Sequence, residues 1–506
     1  MASRVFDFSE EEEKREEAVR QAIVDPSKGQ IPLHVTSNQH EASPEHPLFT
    51  LSDPERVLVH HTSGVFKKSD HGVVLEYGKS SDQLYAGVRS VDLRFKDLVN
   101  WLGETHANVR LSGQQTSQGY AVYKIHAVDA TGRHRLKTED EFLQTVVERL
   151  LLSDQSFDPE EVEEDDQETD TVYISDMTSI SNFLRVAKNT LPENIRDWAF
   201  RNLEMTNQTS ISQDERRHAR RALSIMLNIK WQGAYFPPID PVAARQILDE
   251  ELYGMEKVKQ RIIETIIQIN RTHTLPAYGL LLAGPAGVGK SQIAYAVARI
   301  LKLPWSSLDM STIRDPEALT GSPRVYANAK PGRIMEAYQK AGSSNLVFII
   351  NELDKADSGA GSANPADALL TLLDNLGFTD NYIECMMPTG GVYPIATAND
   401  KSRISEPLMT RFAVIDIPDY SQEEKMQIFQ NFSFPKVLKR MQMEESECIL
   451  TEAAVAEVIR TYANEPGVRD LEQAAEHLAA HALYLIETQG VKQVTYDEED
   501  VRSILE

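Results

Sequence analysis

Cysteine is almost missing from this chain: Cys385 and Cys448 are the only two in 506 residues. Two thiols cannot build a disulfide framework, which excludes the small secreted scaffolds and points to a reducing compartment with both thiols structural. Long apolar runs are missing too, none approaching the ~18 residues that cross a bilayer. The opening residues, MASRVFDFSEEEEKREEA, lack the basic stretch and apolar core of a secretory signal and are too acidic for a mitochondrial transit peptide. A cytoplasmic protein free of the membrane is the expectation. Positive charge is scarce, with 52 Lys and Arg against 77 Asp and Glu and a formal charge of -25. That excess favours solubility and disfavours nonspecific attachment to a phosphate backbone. Metal-ligand spacing is also lacking. His60, His61 and His71 have no Cys or carboxylate at suitable offsets and read as ordinary strand or surface histidines.

What is present is ordinary for a globular protein, 41% hydrophobic and 25% charged. The length allows roughly three domains at about 150 residues each. Glu10 to Ile23 reads as a charged helix, and DPSKGQIPLHVTSNQHEASPEHP after it as a loop. RVLVHH, GVVLEYG, LYAGVRSVDLRF and GYAVYKIHAVDATG are short β-rich runs separated by turns. Glu139 to Leu152 has helical apolar spacing and closes a small α+β N-terminal domain over 1–152. Residues 153–178 open with SDQSFDPEEVEEDDQETD, whose like charges repel and whose apolar content is too low to bury, so they read as an acidic linker. Helical patterns resume at Ser179 and run past Trp231, until the PPIDP stretch from Pro237 to Pro241 breaks them. No internal repeat is found.

The strongest signal is LLLAGPAGVGKS, an apolar strand running into Gly284, Pro285, Ala286, Gly287, Val288, Gly289, Lys290 and Ser291 and then into the helical SQIAYAVARIL. This is the full G-x-x-x-x-G-K-[ST] pattern between a strand and a helix. Its glycines let backbone amides curl around phosphate oxygens, and the helix N-terminus adds a favourable dipole. Lys290 is placed to meet the β- and γ-phosphates of ATP, and Ser291 to ligate Mg²⁺. About sixty residues on, LVFIINELDKA is a second apolar strand ending in polar groups. There Glu352 fits the acid that activates water. Its neighbour Asn351 stands where such motifs carry Asp, so it keeps a carbonyl acceptor near the metal but lacks the charge, and slow hydrolysis is the consequence. A third strand, YPIATAND, ends at Asn399, a polar tip suited to the attacking water or the γ-phosphate.

These residues resemble the Lon family of AAA+ proteins over roughly Ile229 to Glu506. LDEELYGMEKVKQRI resembles the segment before the Lon P-loop, which implies that Tyr253 and Gly254 lie near adenine. IRDPEALTGSPRVYANAKPGRIMEAYQKAG resembles the stretch with the pore loop, which implies that Tyr326 and Ala327 contact substrate polypeptide. EPLMTRFAVIDIPDYSQEEK and EPGVRDLEQAAEHLA resemble the arginine-finger and sensor-2 regions. By that resemblance Arg411 reaches a neighbouring subunit's nucleotide and Arg469 its own, since guanidinium forks stabilise charge on phosphate. The implied fold is α/β, an AAA+ P-loop subdomain over 237–420 with an α-helical lid over 421–506, preceded by a helical connector over 179–236. The implied assembly is a homo-oligomeric, hexameric ring.

The chain ends at DEEDVRSILE, about where Lon proteases begin their peptidase domain, so no peptidase activity is expected and a separate protease or effector is a possible partner. Three functions stay open. The first is an ATP-driven remodeller or unfoldase that threads protein through a central pore. The second is a slowly hydrolysing, nucleotide-gated scaffold, supported by Asn351. The third is a DNA-acting machine, against which stand the acidic charge and the absence of a basic cluster near the pore loop.

Overall fold

The computed structural model describes residues 42–43, 46–52, 61–70, 72–79, 82–89, 92–117, 119–152, 174–208, 210–233, 235–356, 364–462 and 465–505. The expected helix at Glu10 to Ile23, most of the RVLVHH run, His60, His71 and most of the acidic linker lie outside the described residues.

The N-terminal region is a closed antiparallel barrel. Its strands are β1 (Phe49–Ser52), β2 (His61–Ser69), β3 (Gly72–Lys79), β4 (Asp82–Arg89), β5 (Asn108–Thr116) and β6 (Gly119–Ala127), in the order β1-β4-β3-β2-β5-β6. Strand β1 closes the ring by pairing with both β4 and β6. Phe49, Leu51, Phe66, Leu75, Val109, Leu111 and Val122 fill it. Helices α1 (Lys96–Glu104) and α2 (Lys137–Leu152) pack against this core through Leu98, Leu102, Phe142 and Val146. Sequence reading missed α1 and β5. The polar SGQQTS half of β5 hides its alternation, and the register shifts between Ser112 and Gly113, where a Cβ on Gly113 would meet Ala121 O at 2.4 Å.

A three-helix connector follows: α3 (Met177–Ala187), α4 (Glu193–Asn207) and α5 (Gln213–Asn228). Helix α3 begins inside the stretch assigned to the linker, because Asp176 caps it by accepting from the Thr178 and Ser179 amides. Helix α5 opens on a capping box between Ser212 and Glu215 and stops at Asn228, so Trp231 lies beyond the helices rather than within them. The connector is packed, not tethered. The barrel, these helices and one face of the next sheet share a continuous apolar core. Buried Arg149 of α2 donates to Asn228 O at 2.7 Å across one of the seams.

The α/β subdomain holds a five-stranded sheet of β7 (Gly279–Ala283), β8 (Trp305–Asp309), β9 (Leu346–Asn351), β12 (Val392–Ala398) and β13 (Phe412–Asp416), in the order β13-β7-β12-β9-β8. All pairs are parallel. A short hairpin of β10 (Phe378–Thr379) and β11 (Met386–Met387) lies between β9 and β12. The central strands read as unbroken apolar runs because both faces are covered. Leu280, Leu282, Val347 and Ile349 face α6 (Pro241–Glu251), α7 (Glu256–Thr272) and α8 (Lys290–Ile300). Leu281, Leu346, Phe348 and Ile350 face α9 (Arg333–Ala341) and the connector core. Burying each such side chain contributes about 1.5–3 kcal/mol. Pro241 and Asp240, in the stretch expected to break the helical pattern, supply the first residue and the cap of α6.

The lid has its own core. It is built from α10 (Gln422–Ile428), α11 (Phe434–Arg440), α12 (Glu452–Thr461), α13 (Arg469–Gln489) and α14 (Glu498–Leu505), with β14 (Cys448–Leu450) and β15 (Val494–Tyr496) paired in parallel. No helix among the described residues is long and apolar enough to cross a membrane.

Candidate functional site

Parallel strands deliver their polar tips to one edge, the carboxyl end of the sheet, where ligands of open α/β folds bind. There β7 runs into Gly284, β9 ends at Asn351 just before Glu352, and β12 runs into Asn399. A cleft of about 1480 Å³ lies at this edge, between the sheet and the lid. Ala286, Gly287, Gly289, Lys290, Ser291, Asn351, Glu352, Asn399, Arg469 and Tyr253 line it.

The phosphate loop has the geometry its residues require. Gly287 and Gly289 have φ of 78° and 85°, in the left-handed region that favours glycine. At Gly284 a Cβ would lie 2.3 Å from Ile417 O, so only glycine fits beside β13. Val288 is fully buried and anchors the loop to the core, and its carbonyl accepts from Tyr420 Oη at 3.2 Å. Pro285 does not line the cleft, but its carbonyl is one of three acceptors for Lys290 Nζ. That ammonium donates to Gly284 O at 2.7 Å, Pro285 O at 2.5 Å and Asn399 Oδ1 at 2.9 Å. Burial pulls its pKa below the ordinary lysine value; Asp354 opposes this and Arg469 adds to it. A cation held on neutral carbonyls at the start of a helix is a receptor ready for an anion.

Around it stand the groups expected to handle metal and water. Thr397 Oγ1 accepts from the Glu352 amide at 3.1 Å and lies 3.5 Å from Asn351 Oδ1. Glu352 itself sits at φ 55°, ψ 44°, a left-handed conformation a glutamate adopts only when its surroundings impose it. Its carboxylate pairs with Lys355 at 3.0 Å. Ser291 Oγ and Asn351 Oδ1 are hard oxygen donors of the kind Mg²⁺ takes, and together they bring no charge. Buried Asp354 supplies charge nearby, and its Oδ1 has no hydrogen-bond partner among the described residues. These residues fit a divalent cation carried in with phosphates. Sequence reading passed over Asp354, although the DKA that follows Glu352 contained the signal.

The lid closes on the loop through two glycines. Val468 N donates to Gly287 O at 3.1 Å, and a Cβ on Gly467 would lie 2.4 Å from Gly287 C. Arg469, the first residue of α13, is thereby brought to the cleft. Asp419 and Lys425, which sequence reading also missed, hold this approach: Asp419 Oδ1 accepts from Gly467 N at 2.8 Å and Lys425 Nζ donates to Glu465 O at 2.6 Å. Tyr253 lines the cleft with its ring 6.0 Å from Phe432 of the lid. Gly254 follows at φ 61°, turning the chain into α7.

Arg411, Tyr326 and Ala327 are not among the cleft residues. Arg411 is partly exposed and engaged within its own chain, donating Nε to Asp374 Oδ1 at 2.9 Å and Nη1 to Thr410 Oγ1 at 2.8 Å. Val325 and Tyr326 are 86% and 57% exposed at the tip of the loop 322–330, too open for a packing role. The loop's base is fixed instead by Arg324, whose Nε, Nη1 and Nη2 donate to Tyr382 O, Asn202 Oδ1 and Ile383 O. One expectation is corrected here. A basic cluster does lie beside this loop: RRHARR of α5 is remote in sequence, yet Arg217 Nη2 donates to Ala327 O at 3.2 Å.

Residues 280–418 match the AAA family, described as ATPase family associated with various cellular activities. The chain is 32% identical over 318 residues to Lon protease 1 of Bacillus subtilis, covering 62% of this chain and 41% of that protein. It is 34% identical over 326 residues to Lon protease 1 of Bdellovibrio bacteriovorus, covering 63% of this chain and 39% of that one. The chain thus spans well under half the length of these relatives. The matched residues hold the sheet, its phosphate loop and the polar strand tips, so this region is similar to the AAA family and, over about three fifths of the chain, to the Lon proteases.

Proposed function

We propose that this protein assembles into a ring, hexameric as in the family it resembles, and uses ATP to remodel other proteins by drawing them through a central pore. The observation that carries this reading is the pairing of a formed phosphate site with an exposed Tyr326 on a loop whose base is rigidly held. In this reading Lys290 and the loop amides bind the β- and γ-phosphates, Tyr253 and Gly254 flank the adenine, and Ser291 and Asn351 hold Mg²⁺, which screens phosphate charge. Glu352 and Asn399 orient the attacking water. Arg469 senses the nucleotide in its own subunit. Arg411 serves the neighbouring subunit once it leaves Asp374. Tyr326 and Ala327 grip the polypeptide.

A second reading, a slowly hydrolysing scaffold gated by nucleotide, is favoured by Asn351, because it is a neutral donor where such motifs carry a carboxylate. Mg²⁺-dependent ATP turnover measured beside unfolding of a tagged reporter separates the two. Tyr326→Ala should keep ATP binding and ring assembly while losing most remodelling, since it changes no nucleotide contact. Undiminished remodelling by assembled Tyr326→Ala rings would refute threading by this loop.

A further inference from the structure

The loop that carries Tyr326 is flanked by positive charge in a chain whose formal charge is -25. On α5, Arg217, Arg220 and Arg221 are exposed at spacings that place them on one helix face. Arg217 reaches the loop through Ala327 O, and the Arg221 guanidinium lies 6.0 Å from the Tyr382 ring, next to the Arg324 anchor. Lys330 is exposed at the loop's far end. Two carboxylates of α5 are already engaged, Asp214 with Arg217 at 3.2 Å and Glu215 with Ser212 in the capping box, while exposed Glu384 lies near Arg324. Among the described residues Arg220, Arg221 and Lys330 have no carboxylate within ion-pair distance. Arg220 and Arg221, on the same helix as the Arg217 that meets the loop, and the exposed apolar pair Val325 and Tyr326 form a surface of mixed but definite chemistry.

We propose that this arginine face and the tyrosine loop together receive an acidic, extended polypeptide segment, with carboxylates on the arginines and apolar side chains against Val325 and Tyr326. This names the substrate class of the threading reading and rests on it. Charge range favours polypeptide over nucleic acid. At physiological salt, charges act over only ~8 Å, so a short acidic run senses the local arginines and little of the acidic remainder. A nucleic acid strand brings phosphates along its whole length, and its affinity scales with the number neutralised; the arginine face offers only a few contacts.

The test uses the full chain with a slowly hydrolysed ATP analogue and labelled peptides of equal length that are Glu-rich, Gln-rich or Lys-rich. An oligodeoxythymidine is the fourth probe. Exposed charge pairs contribute modestly, so the Glu-rich peptide should bind about 10-fold tighter than the Gln-rich one, a margin that shrinks as salt rises. Arg220→Gln/Arg221→Gln, which spares the Arg217 bond to Ala327 O, should remove most of that margin and leave Gln-rich binding unchanged. Arg220→Gln alone makes no contact that folding needs, and should narrow the margin by about 2–3-fold. Equal binding of the acidic and neutral peptides by the parent overturns the proposal. So does a double variant that weakens both peptides alike while Arg220→Gln changes neither. Tighter, arginine-dependent binding of the oligonucleotide than of the Glu-rich peptide also overturns it. Failure of the threading reading looks different. Arginine-dependent peptide binding with no unfolding of any tagged reporter upholds the receiving surface and refutes threading, whereas efficient unfolding with no acidic preference does the reverse.

Discussion

Arg324→Met removes the anchor of the tyrosine loop while keeping most of its volume. The guanidinium makes three bonds, at 2.5 Å to Tyr382 O, 2.8 Å to Asn202 Oδ1 and 2.9 Å to Ile383 O. Its carbon also lies 5.5 Å from the Tyr382 ring and 6.0 Å from the Trp198 ring. Hydrogen bonds from a charged donor contribute about 1.5–3 kcal/mol each, so the gross loss is roughly 4–9 kcal/mol. Two effects offset part of it. Burial already draws the Arg324 pKa below its ordinary value, a desolvation cost that methionine does not carry. Ile383 O also keeps a donor, Trp198 Nε1 at 2.9 Å. A net local loss of about 2–4 kcal/mol remains. Arg324→Lys should fall between the two, because an ammonium keeps the charge but cannot span three acceptors. Hydrogen exchange reads this directly: amides of 322–330 and 380–383 should exchange about 100-fold faster in Arg324→Met. Unchanged exchange, with urea stability within about 0.5 kcal/mol of the parent, would refute the bracing role.

Lys290→Ala should weaken ATP binding at least ~30-fold by calorimetry, since it deletes the charge that three carbonyl oxygens now hold at the phosphate site; unchanged affinity would remove the nucleotide site as assigned. Asn351→Asp should raise the turnover rate about 10-fold or more by adding a charge beside the metal donors, and brisk parental turnover that falls on substitution would show that Asn351 does not limit the reaction. Burial pushes the Cys385 thiol up to about 11 and Cys448 up to about 12 from 9.0. Both should therefore resist alkylation at pH 8 in the native protein and react on unfolding. Because the folded values are raised, their contribution to stability is present below pH 9.0 and is lost as the pH climbs through about 11 and then about 12.

The chain's local patterns determined a good deal. GPAGVGKS announces its loop through neighbouring residues alone, and LLLA, LVFII and VYPIATA read as strands because burial on both faces leaves them uninterrupted. Their order along the chain was enough to set Lys290, Glu352 and Asn399 as partners. The acidic composition and the near absence of cysteine were equally plain. Other features depend on contacts between residues far apart in sequence, which no local period reports. The SGQQTS half of β5 looks like a turn until a barrel pairs it with β6. Arg324 looks like a loop residue until Asn202, Tyr382 and Ile383 converge on it. RRHARR looks like a solvated helix face until Arg217 meets Ala327, 110 residues away. Asp419 and Lys425 acquire their part in holding Arg469 at the cleft only when the lid folds back on the phosphate loop. The physical division is one of range: hydrophobic period and glycine dihedrals act over a few residues, whereas charge placement and the bracing of exposed loops are decided by which distant surfaces the core brings together.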